Sequence, residues 1–360
     1  MRIGATMEGY RLLKYPGCYM HVKSAQGLGN LPITLGNVSL SSPVFLAPMA
    51  GITDLPFRKT VLRFGAGLVV SEMVASQELV QAKPSARAKA ELGLDNANTA
   101  VQIAGRDAYW MAECAKLLAG QGARIIDINM GCPARKVTTG NCGSALMKEP
   151  ALAASLIKAV VNAVDVPVSL KMRLGWDDAA LNAPEIAQMA EGAGVQMVTI
   201  HGRTRCQFYK GSADWQAIAS IKNVVSIPVI ANGDIVDVKS ARTALTQSGA
   251  DGVMIGRGVQ GKPWILARVA AELAGDTYGD IPQADALLEV ILTHYAEILR
   301  FYGMETGVRT ARKHLGWYLE HLEGAKELRR AVLTESDAAK VMRLLSQGIK
   351  NCGALLDTAA

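Results

Sequence analysis

Pro228-Val-Ile-Ala-Asn-Gly-Asp-Ile-Val-Asp-Val-Lys-Ser-Ala-Arg-Thr-Ala-Leu-Thr-Gln247 reads as one structural unit. Pro228–Ala231 is a short apolar run, Asn232-Gly233-Asp234 a turn, and Asp237–Gln247 a helical stretch. The same theme recurs through the chain. Comparable runs are Val44–Ala47, Leu68–Ser71, Thr99–Ile103, Ile125–Asn129, Val168–Met172, Met197–His201 and Gly252–Ile255. Helical stretches follow most of them: Asp54–Phe64, Asp107–Leu118, Ala151–Val164, Ala183–Ala193 and Asp214–Ile221. Most runs are continuously apolar instead of alternating, as strands buried on both faces of a parallel sheet must be. Eight strand–helix units in roughly 230 residues predict an α/β fold of the (β/α)8 TIM-barrel type, not an open sheet.

Outside this repeat the pattern changes. Ile33-Thr-Leu-Gly36-Asn37-Val-Ser-Leu40 alternates around a Gly-Asn turn and predicts a hairpin closing the N-terminal end of the barrel. Gly275 to Pro282 is a punctuated linker, and from Ala284 to about Asn351 the periodicity is helical throughout. The expected organisation is an N-terminal extension over 1–30, a catalytic barrel with its hairpin over 31–276, and an all-helical domain over 283–352. Residues 1–19 carry no barrel pattern, and translation starting at Met20 is compatible with everything downstream.

Composition narrows the function classes. Half the residues are hydrophobic and only 19% are charged, which supports a large core and excludes global disorder. The net charge of +6 admits a nucleic-acid partner without proving one. The cysteines (Cys18, Cys114, Cys132, Cys142, Cys206 and Cys352) show neither C-x-x-C pairs nor zinc spacing, which points to a reducing, cytoplasmic compartment. No apolar run approaches the ~20 residues of a membrane span, the first 30 residues lack a signal-peptide core, and no acidic residues cluster with His201 as a metal site would need.

In barrels, chemistry sits at the C-terminal ends of the strands. Here those ends read Ala47-Pro48-Met49-Ala50-Gly51, Ser71-Glu72-Met73, Gln102, Asp127-Ile-Asn129-Met-Gly-Cys132-Pro133, Lys171-Met-Arg173, His201-Gly-Arg203, Asn232-Gly-Asp234 and Gly256-Arg257. An unperturbed thiol is mostly protonated near neutrality, so Cys132 suits a general acid better than a nucleophile. Lys171 and Arg173, two apart on a strand, share the interior face. A buried lysine needs an anion, either a ligand or an internal partner such as Glu72 or Asp127. The Gly233 and Gly256 turns close the last two strands, the usual phosphate corner, with Arg257 adding charge-assisted bonds.

The motifs Ala47-Pro-Met-Ala-Gly-Ile-Thr-Asp54, Asp127-Ile-Asn-Met-Gly-Cys-Pro133, Ser169-Leu-Lys-Met-Arg173 and Ala231-Asn-Gly-Asp-Ile235 resemble those of the tRNA-dihydrouridine synthases, most closely the bacterial B-type branch. The resemblance spans about Leu31 to Tyr318. It implies FMN-dependent reduction of uridine to 5,6-dihydrouridine in the D-loop of tRNA, with NADPH or NADH as reductant. Hydride would reach uracil C6 and Cys132 would protonate C5. It further implies flavin contacts by Pro48, Met49, Ala50, Gln102, Lys171 and His201, and phosphate contacts by Asn232, Gly233, Asp234, Gly256 and Arg257. Asn129, Arg173 and Arg203 fall to the substrate. No oligomer is required. The absence of a dinucleotide fingerprint fits a nicotinamide that visits the flavin without a domain of its own.

In the tail, Arg309, Arg312 and Lys313 fall on one helix face beside Trp317 and Tyr318, a basic-aromatic mix suited to RNA. From Gln283 onward there are ten basic and ten acidic residues, so an RNA face there must come from segregation of charge, not excess. Trp317 is equally suited to a bundle core. Two other classes remain compatible with the sequence: a flavin barrel for a free small substrate, and a non-catalytic RNA-binding barrel.

Overall fold

The computed structural model describes residues 33–93 and 98–355. The expected extension over 1–30 lies outside the described residues. The hairpin forms from β1 (Thr34–Leu35) and β2 (Val38–Ser39), paired antiparallel. Its turn at Gly36 lies against Pro167 and Gln196, the residues immediately preceding two barrel strands, so the hairpin does sit at the N-terminal end of the barrel.

Eight parallel strands close the barrel: β3 (Val44–Leu46), β4 (Leu68–Val70), β6 (Thr99–Ala104), β7 (Ile125–Met130), β8 (Val168–Arg173), β9 (Met197–His201), β10 (Val229–Asn232) and β11 (Gly252–Ile255). Closure is made by β11 against β3 and by β4 against β6. A short β5 (Val74–Ala75) extends the sheet along the end of β6.

Alternate residues of each strand enter different cores. Val101, Ile126, Ile128, Leu170, Val198 and Ile200 pack outward with the helices. Phe45, Leu68, Ala100, Ile125, Met197, Ile230 and Met254 point inward and pack on Ile33, Leu35, Val38 and Leu40 of the hairpin. The inward set is apolar only at the bottom. Two residues further along, the same parity brings Gln102, Asp127, Ser169, Lys171, Thr199, His201 and Asn232 to the interior, and all but His201 are buried.

The helices are α1 (Leu55–Arg63), α2 (Ser76–Val80), α3 (Pro84–Ala90), α4 (Ala108–Gly120), α5 (Arg135–Thr138), α6 (Pro150–Val161), α7 (Ala183–Gly192), α8 (Ala219–Lys222), α9 (Val238–Ser248) and α10 (Ile265–Leu273). Asp54, Asp107 and Asp237 cap α1, α4 and α9 by accepting from the backbone N–H three residues on. The helix expected over Asp214–Ile221 is instead a 3₁₀ turn (Gln216–Ile218) followed by the single turn of α8. The tail comprises α11 (Ala284–Tyr302), α12 (Met304–Glu320), α13 (Lys326–Thr334) and α14 (Ala338–Gly348) around its own core of Leu287, Ile291, Tyr295, Leu315 and Val341. Tyr318 belongs to that core, and Trp317 is half-buried. No helix among the described residues is long and apolar enough to cross a membrane.

Candidate active site

A cavity of about 830 Å³ opens at the C-terminal ends of the strands. Every residue expected to touch the flavin lines it, from Pro48, Met49 and Ala50 through Gln102, Lys171 and His201 to Asn232, Gly233, Asp234, Gly256 and Arg257. Asn129, Cys132 and Arg173 line it as well.

One wall is a hydrogen-bonded chain across four neighbouring strands. Ser169 Oγ donates to Asp127 Oδ1 at 2.6 Å, and Gln102 Nε2 donates to Asp127 Oδ2 at 2.7 Å. Asn129 Nδ2 donates to Gln102 Oε1 at 2.7 Å, and Ser71 Oγ accepts from the Gln102 backbone N–H. Burial raises the Asp127 pKa, partly offset by its bonds from Ser169 and Gln102 and by the charge of Lys171. Asn129 Oδ1 then accepts from the backbone N–H groups of Gly131 (3.2 Å) and Cys132 (3.0 Å). This side-chain turn fixes the Cys132 loop. Ser144 completes it, its N–H and Oγ both donating to the Cys132 carbonyl.

The opposite chemistry is cationic. Lys171 is 8% exposed, and its Nζ donates to Asn232 Oδ1 at 2.9 Å; among the described residues no ion pair joins it to Glu72 or Asp127. Burial, then repulsion from Arg173, lowers its pKa to about 8. Arg173 Nε and Nη1 donate to the carbonyls of Gly131, Thr204 and Phe208. His201 has a pKa held well below 6.5, first by burial and then by Lys171, Arg173, Arg203 and Arg257. Its ring is therefore neutral, and Nε2 faces Arg203 Nη1 at 3.4 Å.

The Asn232-Gly-Asp234 turn carries φ of +112° at Gly233 and +53° at Asp234. A side chain at Gly233 would meet Ala213 at 2.8 Å and the His201 ring at 3.1 Å, so glycine is required on steric grounds too. Among the described residues, the backbone N–H groups of Gly233, Asp234, Gly256 and Arg257 donate to no protein group. Four uncommitted donors beside the exposed Arg257 guanidinium fit a phosphate.

The sequence profile of the dihydrouridine synthase (Dus) family matches residues 45–352. The chain belongs to that family. A probable tRNA-dihydrouridine synthase of Rhodobacter capsulatus is 58% identical over 88% of this chain and 97% of its own. A tRNA-dihydrouridine synthase B of Pseudomonas putida is 48% identical over 82% of this chain and 88% of its own. Among solved structures, the histamine dehydrogenase of Rhizobium sp. 4-9 aligns with 74% of this chain and 50% of that one, at a TM-score of 0.52 and 12% identity, a likeness of fold alone.

Within this family member, three residues expected at the substrate lie outside the cavity lining. Arg203 is 1% exposed and lies outside the cavity lining. Its guanidinium grips Asp234 through two bonds (2.9 and 2.5 Å) and the carbonyls of Lys210 and Gly211, leaving it structural. Although burial alone would raise the Asp234 pKa, the Arg203 bonds and the Ala213 N–H hold it low. Arg312 turns its Nη2 toward the Glu335 carbonyl at 3.4 Å, and Lys313 donates to the Gly51 carbonyl. Arg309 pairs with Glu305. The three tail cations therefore each have a different acceptor.

Sequence reasoning missed Phe208 and Tyr209, which also line the cavity. Tyr209 lies beneath the guanidinium groups of Arg173 (5.7 Å) and Arg257 (5.2 Å). Their only signal was two aromatics in a loop between strand and helix, which is weak without the barrel in view.

Proposed function

We propose that this protein reduces uridine to 5,6-dihydrouridine in the D-loop of tRNA, in the cytoplasm, with FMN as bound cofactor and NADPH or NADH as reductant. The carrying observation is that the Cys132 loop, fixed by Asn129, shares one cavity with Lys171 and with the uncommitted donors of the Gly233 and Gly256 turns. Those donors and Arg257 would hold the FMN phosphate; Gln102, Lys171 and the backbone of Pro48–Ala50 would hold its ring. When bound, FMN supplies the hydride that saturates C6.

Cys132 delivers the proton to C5 as general acid and is reprotonated from solvent through the open mouth. Asn129 acts twice. Its Oδ1 locks the Cys132 backbone, and one of its two Nδ2 hydrogens remains after Gln102 is served, free to meet a uracil carbonyl. Arg173 spends Nε and Nη1 on loop carbonyls, which leaves Nη2 for an oxygen of the extruded base or its phosphate. Lys171 offers positive charge where negative charge accumulates.

The test uses purified protein, NADPH and tRNA lacking dihydrouridine. Dihydrouridine should appear in the RNA, with FMN released on denaturation. Turnover of free uracil-like or enone molecules, with tRNA left unmodified, would assign the barrel to small substrates instead.

A further inference from the structure

The turn after β3 has a divided environment. Ala47, Pro48, Met49, Ala50 and Ile52 line the cavity, whereas Gly51 does not. Both backbone polar groups of Gly51 are taken by distant side chains. Its N–H donates to Glu72 Oε1 at 2.6 Å, and its carbonyl accepts from Lys313 Nζ on α12. Three residues on, Asp54 Oδ2 accepts from Tyr302 Oη at the end of α11, at 2.9 Å. The turn closes on itself through Met49, whose carbonyl accepts from the N–H groups of Ile52 and Thr53. Gly51 and Asp54 are thereby linked, through the bonds to the Met49 carbonyl, to the cavity wall formed by Pro48–Ala50. A tail that merely capped the barrel would need only apolar packing, yet this one sends two polar groups to one turn, and that turn lines the cavity.

We propose that the helical tail is a positioning element for the flavin pocket. Lys313 and Tyr302 clamp the Met49–Asp54 turn from the tail side, Glu72 holds it from the barrel side, and the docked tail thereby sets the pocket wall. Lys313 is a positioning residue in this account, acting through Gly51. The role of the wall rests on the flavin reading above, whereas the clamp can be measured without it.

The experiment compares wild-type protein with Lys313→Met, Tyr302→Phe and Lys313→Arg, following amide hydrogen exchange by residue and the rate of flavin release. Losing one charge-assisted bond should speed exchange at Gly51, Ile52 and Thr53 on the order of tenfold, with Val332 and Leu345 in the tail core unchanged. Flavin release should accelerate by a similar factor, and Lys313→Arg should restore much of both. Exchange in the turn at the wild-type rate in both Lys313→Met and Tyr302→Phe overturns the clamp. So does acceleration spread equally through the tail core, which marks a packing role only. Faster exchange in the turn of a protein that carries no flavin supports the clamp and sinks the cofactor reading, which separates the two failures.

Discussion

Replacing Lys171 by methionine should make the flavin-free protein more stable at neutral pH. Lys171 is almost wholly enclosed, and among the described residues the bond to Asn232 is its side chain's one hydrogen bond. Its pKa of about 8 against an ordinary 10.5 corresponds to roughly 3 kcal/mol of penalty on the charged form. Methionine removes that penalty at similar volume and loses a hydrogen bond worth about 1 kcal/mol. The net expected gain is about 2 kcal/mol. The sign follows from linkage: the folded pKa lies below the unfolded one, so the unfolded chain binds more protons between the two values. Wild-type stability therefore rises with pH across that window, and the penalty is complete below about pH 8. Urea unfolding of both proteins freed of flavin, near pH 7 and again above pH 10, measures it. The advantage of Lys171→Met should be present near pH 7 and fade at high pH. FMN added near neutrality should stabilise the wild type far more than the variant. A variant less stable near pH 7, or a gap that ignores pH, would refute the idea that Lys171 is held at a cost for an anionic ligand.

Other outcomes follow from the same geometry. Cys132→Ala should retain flavin and its reduction by NADPH while losing ~10²- to 10⁴-fold in dihydrouridine formation, read in single-turnover assays. Arg203→Met should lower stability by about 1 to 3 kcal/mol, because it leaves the Lys210 and Gly211 carbonyls without their donor and removes one partner of Asp234; chemical denaturation reads it. Arg312→Ala should lower the melting temperature and leave the salt dependence of tRNA binding unchanged, since its guanidinium turns to the Glu335 carbonyl; a salt series beside a melting curve checks both.

The barrel was legible because burial on both faces leaves runs such as Val44–Ala47 and Gly252–Ile255 without polar interruptions, and the strand ends mark the mouth. The residues lining the cavity were legible for the same reason: strand parity places Gln102, Lys171 and Asn232 on the interior. What parity cannot give is the partner. Lys171 chose Asn232, two strands away, over the two carboxylates the sequence offered, and Asn129 bonded the loop of its own strand. Arg203 looked like a substrate ligand because it follows His201 at a strand end; only the returning loop through Lys210 and Gly211 buries it. The tail shows the same limit. Helical spacing put Arg309, Arg312 and Lys313 on one face, but each long side chain found a different acceptor.

Position-resolved mapping of dihydrouridine in tRNA from a strain lacking this protein tests the central claim most directly. D-loop dihydrouridine should disappear at one or more positions, return with the wild-type gene, and stay absent with Cys132→Ala. Dihydrouridine unchanged at every tRNA position in the deleted strain, or restored in full by Cys132→Ala, would contradict the account.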